Sequence, residues 1–560
     1  MRIPKLRGAI TRARWLRADA GLRRQVRRVD SYLRQAAAEH PAGEAPVVFF
    51  NASTRIQVPS LNAAFGLLAS WAVRSAGVPV RYAVCHRGMD LCILGTNRED
   101  YAAPPPCAPC LRTSSSLFPD ALVVRLEYDR ATAARARSEI EGLSLEELAH
   151  WGHDGLPLGK LCLPGLRWAL RRHRIPDDEA TRALFRRYLV SAASLAGRFE
   201  KILDESRPRS LVVFNGIQYP EAVARAVARR RGIPVVTHEV GLRPFSAFFS
   251  HRDATFREVE FSADFRLSGE DETRLDDYLS ERFQGQFSMA GIRFWPEMKA
   301  LPDDLLERMA RHEGTVAVFT NVIFDTSQVH ANTLFPEMFS WLETLQAEIE
   351  RRPETLFVIR AHPDEDRPGK ESRETVATWV EERGLARRPN VAFFGPSDHI
   401  SSYELIRRSK LVLVYNSSIG LEASILGVPV LCAARARYTQ LPTVFFPATR
   451  EEYGRELRRL LGAERIPVPA EFAPNARRFL FYELFQASLD LSKFLTPYPG
   501  VPGMVTFSDF PPDAVSAHPE MGVIREGILH GDGFSLGESN TQDESSSRHR
   551  AVSGADRRVV

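Results

Sequence analysis

Short apolar runs alternate with stretches of helical periodicity along most of this chain. An apolar run at 46–51 predicts a buried strand, Pro59 begins a helical pattern that Gly77 ends, and residues 78–84 predict a second strand. Two strands joined by one helix form a βαβ unit, which implies a parallel sheet. The same rhythm recurs later in this half of the chain, at 210–215, 220–231 and 234–239.

A second series of alternating strands and helices fills the later part of the chain. Its predicted strands lie at 315–320, 355–360, 391–394, 411–415 and 428–432. Helices are predicted between or after them, near 335–351, 371–384, 402–409, 418–426 and 450–461. This alternation is typical of a doubly wound parallel sheet. The predicted fold class is therefore α/β, with two facing Rossmann-like domains and an interdomain cleft at the carboxyl ends of the strands.

The changes of pattern divide the chain into six predicted segments. Residues 266–312 lack clear alternation, and the end of the chain is rich in Ser, Asp and Arg, which indicates disorder. The segments are a basic amphipathic leader (1–40), an N-terminal Rossmann-like domain with a helical insertion and a cysteine cluster (41–265), a linker (266–312), a C-terminal Rossmann-like domain (313–475), a terminal helix (476–502) and a disordered tail (503–560).

Composition excludes few classes of protein, but the lack of targeting and membrane-spanning segments limits the cellular compartment that we expect. The chain has 560 residues, 44% hydrophobic and 26% charged, with a net charge of +4, so nothing in the balance requires a nucleic-acid partner. The sequence contains neither a signal-peptide core nor an apolar stretch of roughly 18 residues that would span a membrane. We therefore expect a cytoplasmic protein, with contact at the inner membrane surface left open.

Basic residues greatly outnumber acidic residues in the leader. Ten Lys or Arg residues precede residue 29, against the single acid Asp19. Apolar residues recur at helical spacing over 20–37, at Leu22, Val26, Val29 and Leu33, so an amphipathic helix is predicted there. Such a helix either lies on anionic lipid or packs against the first domain with a solvated basic face. The sequence leaves both interpretations open.

Four of the six cysteines cluster in the first domain. Cys85, Cys92, Cys107 and Cys110 fall close together in sequence, the last two as a Cys-x-x-Cys pair. Such a pair presents two sulfurs to one tetrahedral ion, although the first two cysteines are spaced more widely than in a zinc ribbon. Two interpretations remain open: a structural zinc or iron–sulfur site, or reduced thiols.

The chemistry-bearing residues of the second domain follow two predicted strands. The first strand ends at Arg360 and delivers His362 and Pro363, and the second delivers Ser417 and Ser418 to the start of a helix. Hydroxyls and unpaired backbone N–H groups at a helix start form an anion site, which suits a phosphate. Glu422 lies one turn into that helix and is placed to reach a ribose. The structural alternative is that the serines cap their helix and the histidine binds a neighbouring carbonyl.

These motifs resemble a known family. The stretches 360–365 and 416–430 are similar to the capsule polysaccharide biosynthesis family of GT-B glycosyltransferases, which includes Kdo transferases; residues 320–325 and 401–405 also resemble it. The resemblance implies that His362 and Pro363 cradle the nucleotide, that Ser417 and Ser418 bind its phosphate, and that Glu422 holds the ribose. It also implies a GT-B-like fold, in which the N-terminal domain (41–265) is the acceptor domain and the C-terminal domain (313–475) is the nucleotide-sugar domain. It favours a CMP-linked donor, with UDP and GDP donors as alternatives.

Charge compensation and metal requirement follow from the same motifs. A histidine is readily tuned near neutral pH, so we expect His362 to act as a cation toward the phosphate. Arg360 and Lys370 are further candidates for neutralising an acidic donor or its phosphate. Because no divalent-metal Asp-x-Asp motif stands at a convincing strand end, we expect transfer without a divalent metal and with no required cofactor.

Two carboxylates are candidates for catalysis. Sugar transfer needs a carboxylate near the anomeric carbon or a base on the acceptor. Asp325 follows the first strand of the second domain, and a capping or surface role is its alternative. Glu239 ends a strand of the first domain, where it is placed to act as the acceptor base beside His238 or to anchor a loop.

The predicted activity is therefore transfer of a sugar from a nucleotide-activated donor to a polysaccharide or glycolipid acceptor. Two other hypotheses stay open. A nucleotide-sugar epimerase shares the two-sheet architecture, and a non-catalytic assembly or binding protein can retain the fold without the chemistry.

Overall fold

A computed structural model describes residues 3–38, 44–52, 58–262, 264–284, 298–367, 369–501 and 503–537. Fourteen strands lie in these residues: β1 (Val47–Phe50), β2 (Val80–Cys85), β3 (Val123–Leu126), β4 (Ser210–Phe214), β5 (Val235–Val240), β6 (Ser246–Ser250), β7 (Gly314–Phe319), β8 (Thr355–Arg360), β9 (Val391–Phe394), β10 (Leu411–Val414), β11 (Val430–Cys432), β12 (Leu489–Asp490), β13 (Leu495–Pro497) and β14 (Val505–Phe507).

The strands form two large sheets, one in each domain. The first sheet has the order β12-β6-β5-β4-β1-β2-β3, with β1 to β5 parallel, β6 antiparallel to β5, and the edge strand β12 antiparallel to β6. The second has the order β11-β10-β7-β8-β9 and is parallel throughout. The predicted fold class, with two Rossmann-like parallel sheets, is confirmed.

Helices cover both faces of each sheet. They are α1 (Ile3–Ala38), α2 (Leu61–Arg74), α3 (Cys107–Leu117), α4 (Arg130–Glu139), α5 (Leu145–His150), α6 (Leu158–Leu170), α7 (Glu179–Ser206), α8 (Glu221–Arg230), α9 (Gly269–Phe283), α10 (Asp303–Arg311), α11 (Met338–Arg351), α12 (Val376–Glu382), α13 (Ser402–Arg407), α14 (Ile419–Ile425), α15 (Arg450–Gly462), α16 (Phe472–Phe481), α17 (Ala514–Ala517) and α18 (Pro519–His530). No helix within the described residues is both long and apolar enough to cross a membrane.

Strand alternation distributes the core between the two faces of the first sheet. Val47 and Phe49 of β1 join a core with α1, α2 and α18, whereas Val48 and Phe50 join a second core with α4 to α8. Successive side chains of a strand point to opposite faces, so one short buried strand supplies both cores. The second sheet is covered in the same way.

The leader is a long helix whose apolar face is buried. Leu22, Val26, Val29 and Leu33 of α1 have at most 6% of their surface exposed and belong to the first-domain core. Of the two interpretations of this face, the structure shows packing against the first domain. These four side chains are not available to lipid.

The predicted linker contains two helices. Leu275 and Leu279 of α9, with Leu301 and Leu305 near α10, are buried in one core of the second domain. Each helix contributes only a few apolar positions among many charged ones, so the hydrophobic period is weak in the sequence. Residues 285–297 of the predicted linker lie outside the described residues.

The C-terminal part of the chain returns to the first domain, which differs from the predicted disordered tail. The predicted terminal helix is the shorter α16, continued by a π-helical turn at Tyr482–Ala487, after which β12 pairs with β6. Beyond it, Met521 and Ile524 of α18 and the later Phe534 are fully buried in the first-domain core. Residues 503–537 are therefore ordered, because they complete a core that the early strands leave open. Residues 538–560 lie outside the described residues.

Candidate functional site

The carboxyl ends of β8 and β10 frame a cavity in the second domain. Both strands flank β7, so the loops that follow them meet at one edge of the sheet. The cavity has a volume of about 110 Å³. Its lining includes all the residues predicted to bind the nucleotide, together with Arg282 and Tyr403: Arg360, His362, Pro363, Ser417, Ser418 and Glu422.

His362 is oriented by the backbone of its own loop. The Asp364 N–H donates to His362 Nδ1 at 3.1 Å, which assigns the imidazole proton to Nε2. Burial lowers the pKa of His362, although the carboxylates of Asp364 and Asp325 act against that shift. Burial therefore favours a neutral His362 ring that donates through its Nε2–H. This differs from the cationic ring that the sequence predicts.

The serine pair is free of the capping role that was its structural alternative. Ser418 is the N-cap residue of α14, but its side chain makes no capping hydrogen bond. Tyr438 donates its hydroxyl to the Ser417 carbonyl at 2.8 Å and so fixes the backbone of the turn. Both serines line the cavity, where their hydroxyls are placed to contact a ligand.

Glu422 is supported by residues that the sequence analysis did not identify. Its Oε1 accepts hydrogen bonds from the Arg282 guanidinium, the shorter at 2.5 Å, and its Oε2 accepts the Tyr403 hydroxyl at 2.6 Å. Burial of the Tyr403 hydroxyl, followed by the charge of Glu422, raises the pKa of that hydroxyl. A ribose hydroxyl would donate a further hydrogen bond to a carboxylate whose two oxygens already accept hydrogen bonds from protein side chains.

Arg360 supports the wall of the cavity. Its guanidinium donates to the Ile400 carbonyl and to the Ser402 hydroxyl, and only 4% of the residue is exposed. Burial lowers its pKa to about 10, which still leaves it cationic at neutral pH. The residue thus brings positive charge close to the predicted phosphate position while holding the α13 region in place.

A larger cavity of about 480 Å³ lies between the two domains. The first domain contributes Asn62, Asn215 and Glu239, and the second contributes Asp325 and Lys370. Both predicted catalytic carboxylates therefore face one cleft, although they are far apart in the chain. Two further cations, Arg367 and Arg437, also line it.

Glu239 is held by two asparagine amides. Asn215 Nδ2 donates to Glu239 Oε2 at 2.7 Å and Asn62 Nδ2 donates to Oε1 at 3.2 Å. Burial raises the pKa of Glu239; hydrogen bonds from the Val240 N–H and the two amides oppose this, and the charge of Asp325 reinforces it. Asn215 has a φ of +57° and precedes Gly216 at +73°, so an Asn-Gly pair makes this left-handed turn at the end of β4.

Asp325 and Lys370 form the opposite wall of the cleft. Asp325 begins a 3₁₀ turn at Thr326–Val329 without a side-chain capping bond, and its Oδ2 accepts the Ser327 hydroxyl at 2.8 Å. Burial of the Lys370 ammonium lowers its pKa, and the neighbouring Arg367 lowers it further. The Asp325 carboxylate is exposed to the cleft.

His238 does not accompany Glu239 into the cleft. It precedes Glu239 on β5, and adjacent strand residues point to opposite faces. The imidazole is 1% exposed and lines a separate small cavity with Asn51 and Gly66. Burial lowers its pKa to about 3. The predicted partnership of His238 and Glu239 at the acceptor is therefore absent from this arrangement.

The four clustered cysteines are partly exposed, and none of them forms a disulfide. Within the described part of the chain, no group of three or more His, Cys, Asp and Glu side chains is arranged to hold an ion. Burial raises the pKa of Cys85 to about 11 and that of Cys92 to about 12, with the other thiols of the cluster adding to the shift. Both interpretations of the cluster, a metal site and reduced thiols, stay predictions.

Comparisons with solved structures return proteins of low similarity. Two are Thermosulfurimonas dismutans KpsC structures: a beta Kdo 2,4 transferase (13% identity, covering 50% of this chain and 80% of that one, TM-score 0.33) and a beta Kdo 2,7 transferase (15%, 57%, 87% and 0.30). A Neisseria meningitidis UDP-GlcNAc 2-epimerase bound to UDP-GlcNAc has 11% identity, covers 78% of this chain and 99% of that one, and has a TM-score of 0.24. Scores this low carry no argument about activity. A search of the curated proteins finds no match.

A protein-family comparison is more informative about the second domain. Residues 297–441 match the family described as capsule polysaccharide biosynthesis protein. The matched region contains the loops after β8 and β10, and hence the His-Pro and Ser-Ser motifs of the smaller cavity. The resemblance seen in the sequence is confirmed for this region, which is similar to the capsule polysaccharide biosynthesis family.

Proposed function

We propose that the protein is a glycosyltransferase that moves a sugar from a nucleotide-activated donor, CMP-linked in the first instance, to a polysaccharide or glycolipid acceptor on the cytoplasmic side of the membrane. One observation carries the proposal. Glu239 and Asp325 face a single interdomain cleft, and Asp325 is close enough to the smaller cavity for its charge to act on the pKa of His362, one of the predicted nucleotide residues.

The nucleotide occupies the smaller cavity in this proposal. The hydroxyls of Ser417 and Ser418 and the Nε2–H of His362 donate to its phosphate, with the buried cation Arg360 behind them. His362 donates from a neutral ring, because its Nδ1 lone pair accepts the Asp364 N–H. Glu422, fixed by Arg282 and Tyr403, accepts a ribose hydroxyl through a remaining lone pair.

The sugar extends from the phosphate into the cleft, where the two carboxylates take different roles. Asp325 stabilises the oxocarbenium-like state at the anomeric carbon, and Glu239 accepts the proton of the acceptor hydroxyl. The raised pKa of Glu239 suits proton transfer, because a general base is most effective when its pKa approaches the working pH. Arg367, Lys370 and Arg437 offset negative charge that donor and acceptor bring into the cleft.

A thermal-shift titration with CMP, UDP and GDP tests the nucleotide assignment, since a ligand that binds the folded state raises its apparent stability. We expect CMP to raise the melting temperature and His362→Ala to abolish that shift. His150→Ala, which changes an exposed histidine on α5, is the matched control and should keep it. A preference for UDP or GDP would change the donor but retain the transferase, whereas no response to any nucleotide would contradict the site.

Donor turnover with and without an acceptor separates the transferase from an epimerase. We expect efficient release of free nucleotide only when an oligosaccharide or glycolipid acceptor is present, and the same rate after treatment with a chelator. Conversion of the donor to an epimer without acceptor would replace the proposal with the epimerase hypothesis. Nucleotide binding without any turnover would favour the non-catalytic hypothesis.

A further inference from the structure

The N-terminal half of α1 presents apolar and basic side chains outside the domain core. Trp15 and Leu16 are 42% and 61% exposed, and among the described residues they are two of three large hydrophobic side chains with such exposure. They precede the segment whose apolar face packs into the first domain, so the domain core does not account for them. Large exposed apolar side chains next to one another indicate an interaction surface.

Arginines surround this apolar pair. Residues 14–28 contain six arginines against the single acid Asp19. Arg23, Arg24 and Arg27 are exposed and follow Leu16 along α1. Arg24 and Arg27 lie away from the buried face of the helix, and Arg23 lies on its flank. The ion pairs of α1 in the described structure involve Arg28 and Arg34 instead, with Asp509 and Asp30. Within the described residues, no carboxylate therefore forms an ion pair with Arg23, Arg24 or Arg27.

A groove lies beside the same helix. It has a volume of about 460 Å³ and runs between α1, α3 and the loop before β14. Trp15, Leu22 and Val501 supply part of its apolar lining, and Arg23 and Arg112 supply positive charge. Asp19 also lines it, but its carboxylate accepts the Tyr498 hydroxyl at 2.9 Å. Trp15 is fixed at the rim because its indole N–H donates to the Pro499 carbonyl at 2.9 Å.

We propose that this region, the leader surface of Trp15, Leu16, Arg23, Arg24, Arg27 and Arg112, docks the protein on an anionic phospholipid bilayer. The indole and the leucine enter the headgroup region, where tryptophan is favoured, and the arginines face lipid phosphates. Charge complementarity selects this partner, since a neutral apolar partner leaves the arginines unpaired. The inference is independent of the proposed transferase activity, and it locates the contact on other residues than the buried Leu22-to-Leu33 face.

Vesicle co-sedimentation of the full chain tests the charge. We expect binding to vesicles of phosphatidylcholine mixed with phosphatidylglycerol, weak binding to pure phosphatidylcholine, and loss of binding at high salt. Arg24→Glu/Arg27→Glu should lower the affinity at least about 25-fold, because each basic residue near an anionic surface contributes about a five-fold factor. Arg455→Glu/Arg458→Glu, the same charge change at the same spacing on exposed α15, should leave it unchanged.

A second variant tests the apolar pair. Trp15→Ser/Leu16→Ser should lower vesicle affinity about ten-fold or more while leaving the melting temperature within a few degrees of the original, because neither side chain belongs to the core. The proposal is overturned if the folded chain does not bind anionic vesicles. It is also overturned if the arginine and control variants lose affinity equally. Transfer to a water-soluble acceptor measures the proposed activity separately, so either proposal can fail alone.

Discussion

Glu422 depends on two side chains from distant parts of the sequence. Arg282 comes from the end of α9 and Tyr403 from α13, and together they occupy both carboxylate oxygens. Only 15% of the Arg282 side chain and 4% of the Glu422 side chain are exposed. Removing one member of a buried pair leaves an uncompensated charge, which costs more than the pair contributes when intact.

A double-mutant cycle measures this coupling. Arg282→Met should lower the free energy of unfolding by about 3 kcal/mol, because the Glu422 carboxylate stays buried with Tyr403 alone. Glu422→Gln in that background should cost at least about 1 kcal/mol less than in the original protein. Urea unfolding followed by circular dichroism gives the values. Additive effects of the two substitutions would show that the pair is not coupled.

His238 ties stability to pH, although it lies outside the proposed chemistry. Its pKa is lowered to about 3 in the folded protein, whereas an unfolded histidine titrates near 6.5. As the pH falls below about 6.5, the unfolded chain takes up a proton that the folded chain refuses, so the free energy of unfolding decreases. This loss continues toward the folded-state pKa.

His238→Leu should therefore flatten the pH dependence of stability. Between about pH 6 and pH 4, the original protein should lose up to about 1.4 kcal/mol per pH unit more than the variant. The measurement is urea unfolding at several pH values. His150→Leu changes an exposed histidine and should keep the original slope. Equal slopes for His238→Leu and the original protein would mean that the buried imidazole is protonated in the fold.

The C-terminal elements act as structural parts of the first domain. β12 extends the first sheet, and α18 packs beside α2 on the face that α1 also covers. The chain therefore leaves the first domain once and returns to it after the second. This return explains why the early strands alone do not close their own core.

Truncation separates the ordered from the undescribed part of the C-terminal region. A chain ending at Val501 lacks buried Met521, Ile524 and Phe534 and should lose at least about 5 kcal/mol of stability, since each buried side chain of this size contributes about 1.5–3 kcal/mol. A chain ending at Gly537 keeps all of them and should melt at the original temperature. Thermal unfolding by circular dichroism makes the comparison, and equal melting temperatures for the two truncations would contradict it.

Direct contacts join the two domains at one side of the cleft. Arg171, after α6, donates to the Gly369 carbonyl at 3.1 Å and stacks on Trp168, with 4.1 Å from guanidinium carbon to ring centre. Nearby, Glu374 accepts the His173 N–H at 3.0 Å. The helical insertion of the first domain thus contacts the loop that carries Lys370, which places that loop at the cleft.

The proposed catalytic roles of Glu239 and Asp325, on opposite walls of the cleft, lead to a prediction about the transfer rate. Glu239→Gln and Asp325→Asn should each lower the transfer rate about 100-fold or more, the usual contribution of a positioned carboxyl group, while the affinity for CMP stays unchanged. Single-turnover assays and calorimetric titration provide the two readouts. Glu464→Gln, an exposed surface change, is the control. A variant that loses CMP affinity as strongly as activity would place its carboxylate in the nucleotide site instead.

Features with a local signature were accessible from the sequence. Strand and helix alternation reports on adjacent residues, so the two parallel sheets and the position of motifs at strand ends followed from periodicity and strand order. The cavity lining of His362, Ser417 and Ser418 follows from the same rule, because β8 and β10 flank one strand. Their chemical roles remain predictions.

Contacts between distant segments required the folded chain. The support of Glu239 by Asn62 and Asn215, the pairing of Arg282 with Glu422 and the burial of α18 in the first domain join residues with no common sequence pattern. The neutral state of His362 and the burial of His238 likewise depend on what packs around each ring. Periodicity determines which face of an element is apolar, but the partner that covers that face is set by packing of the whole chain.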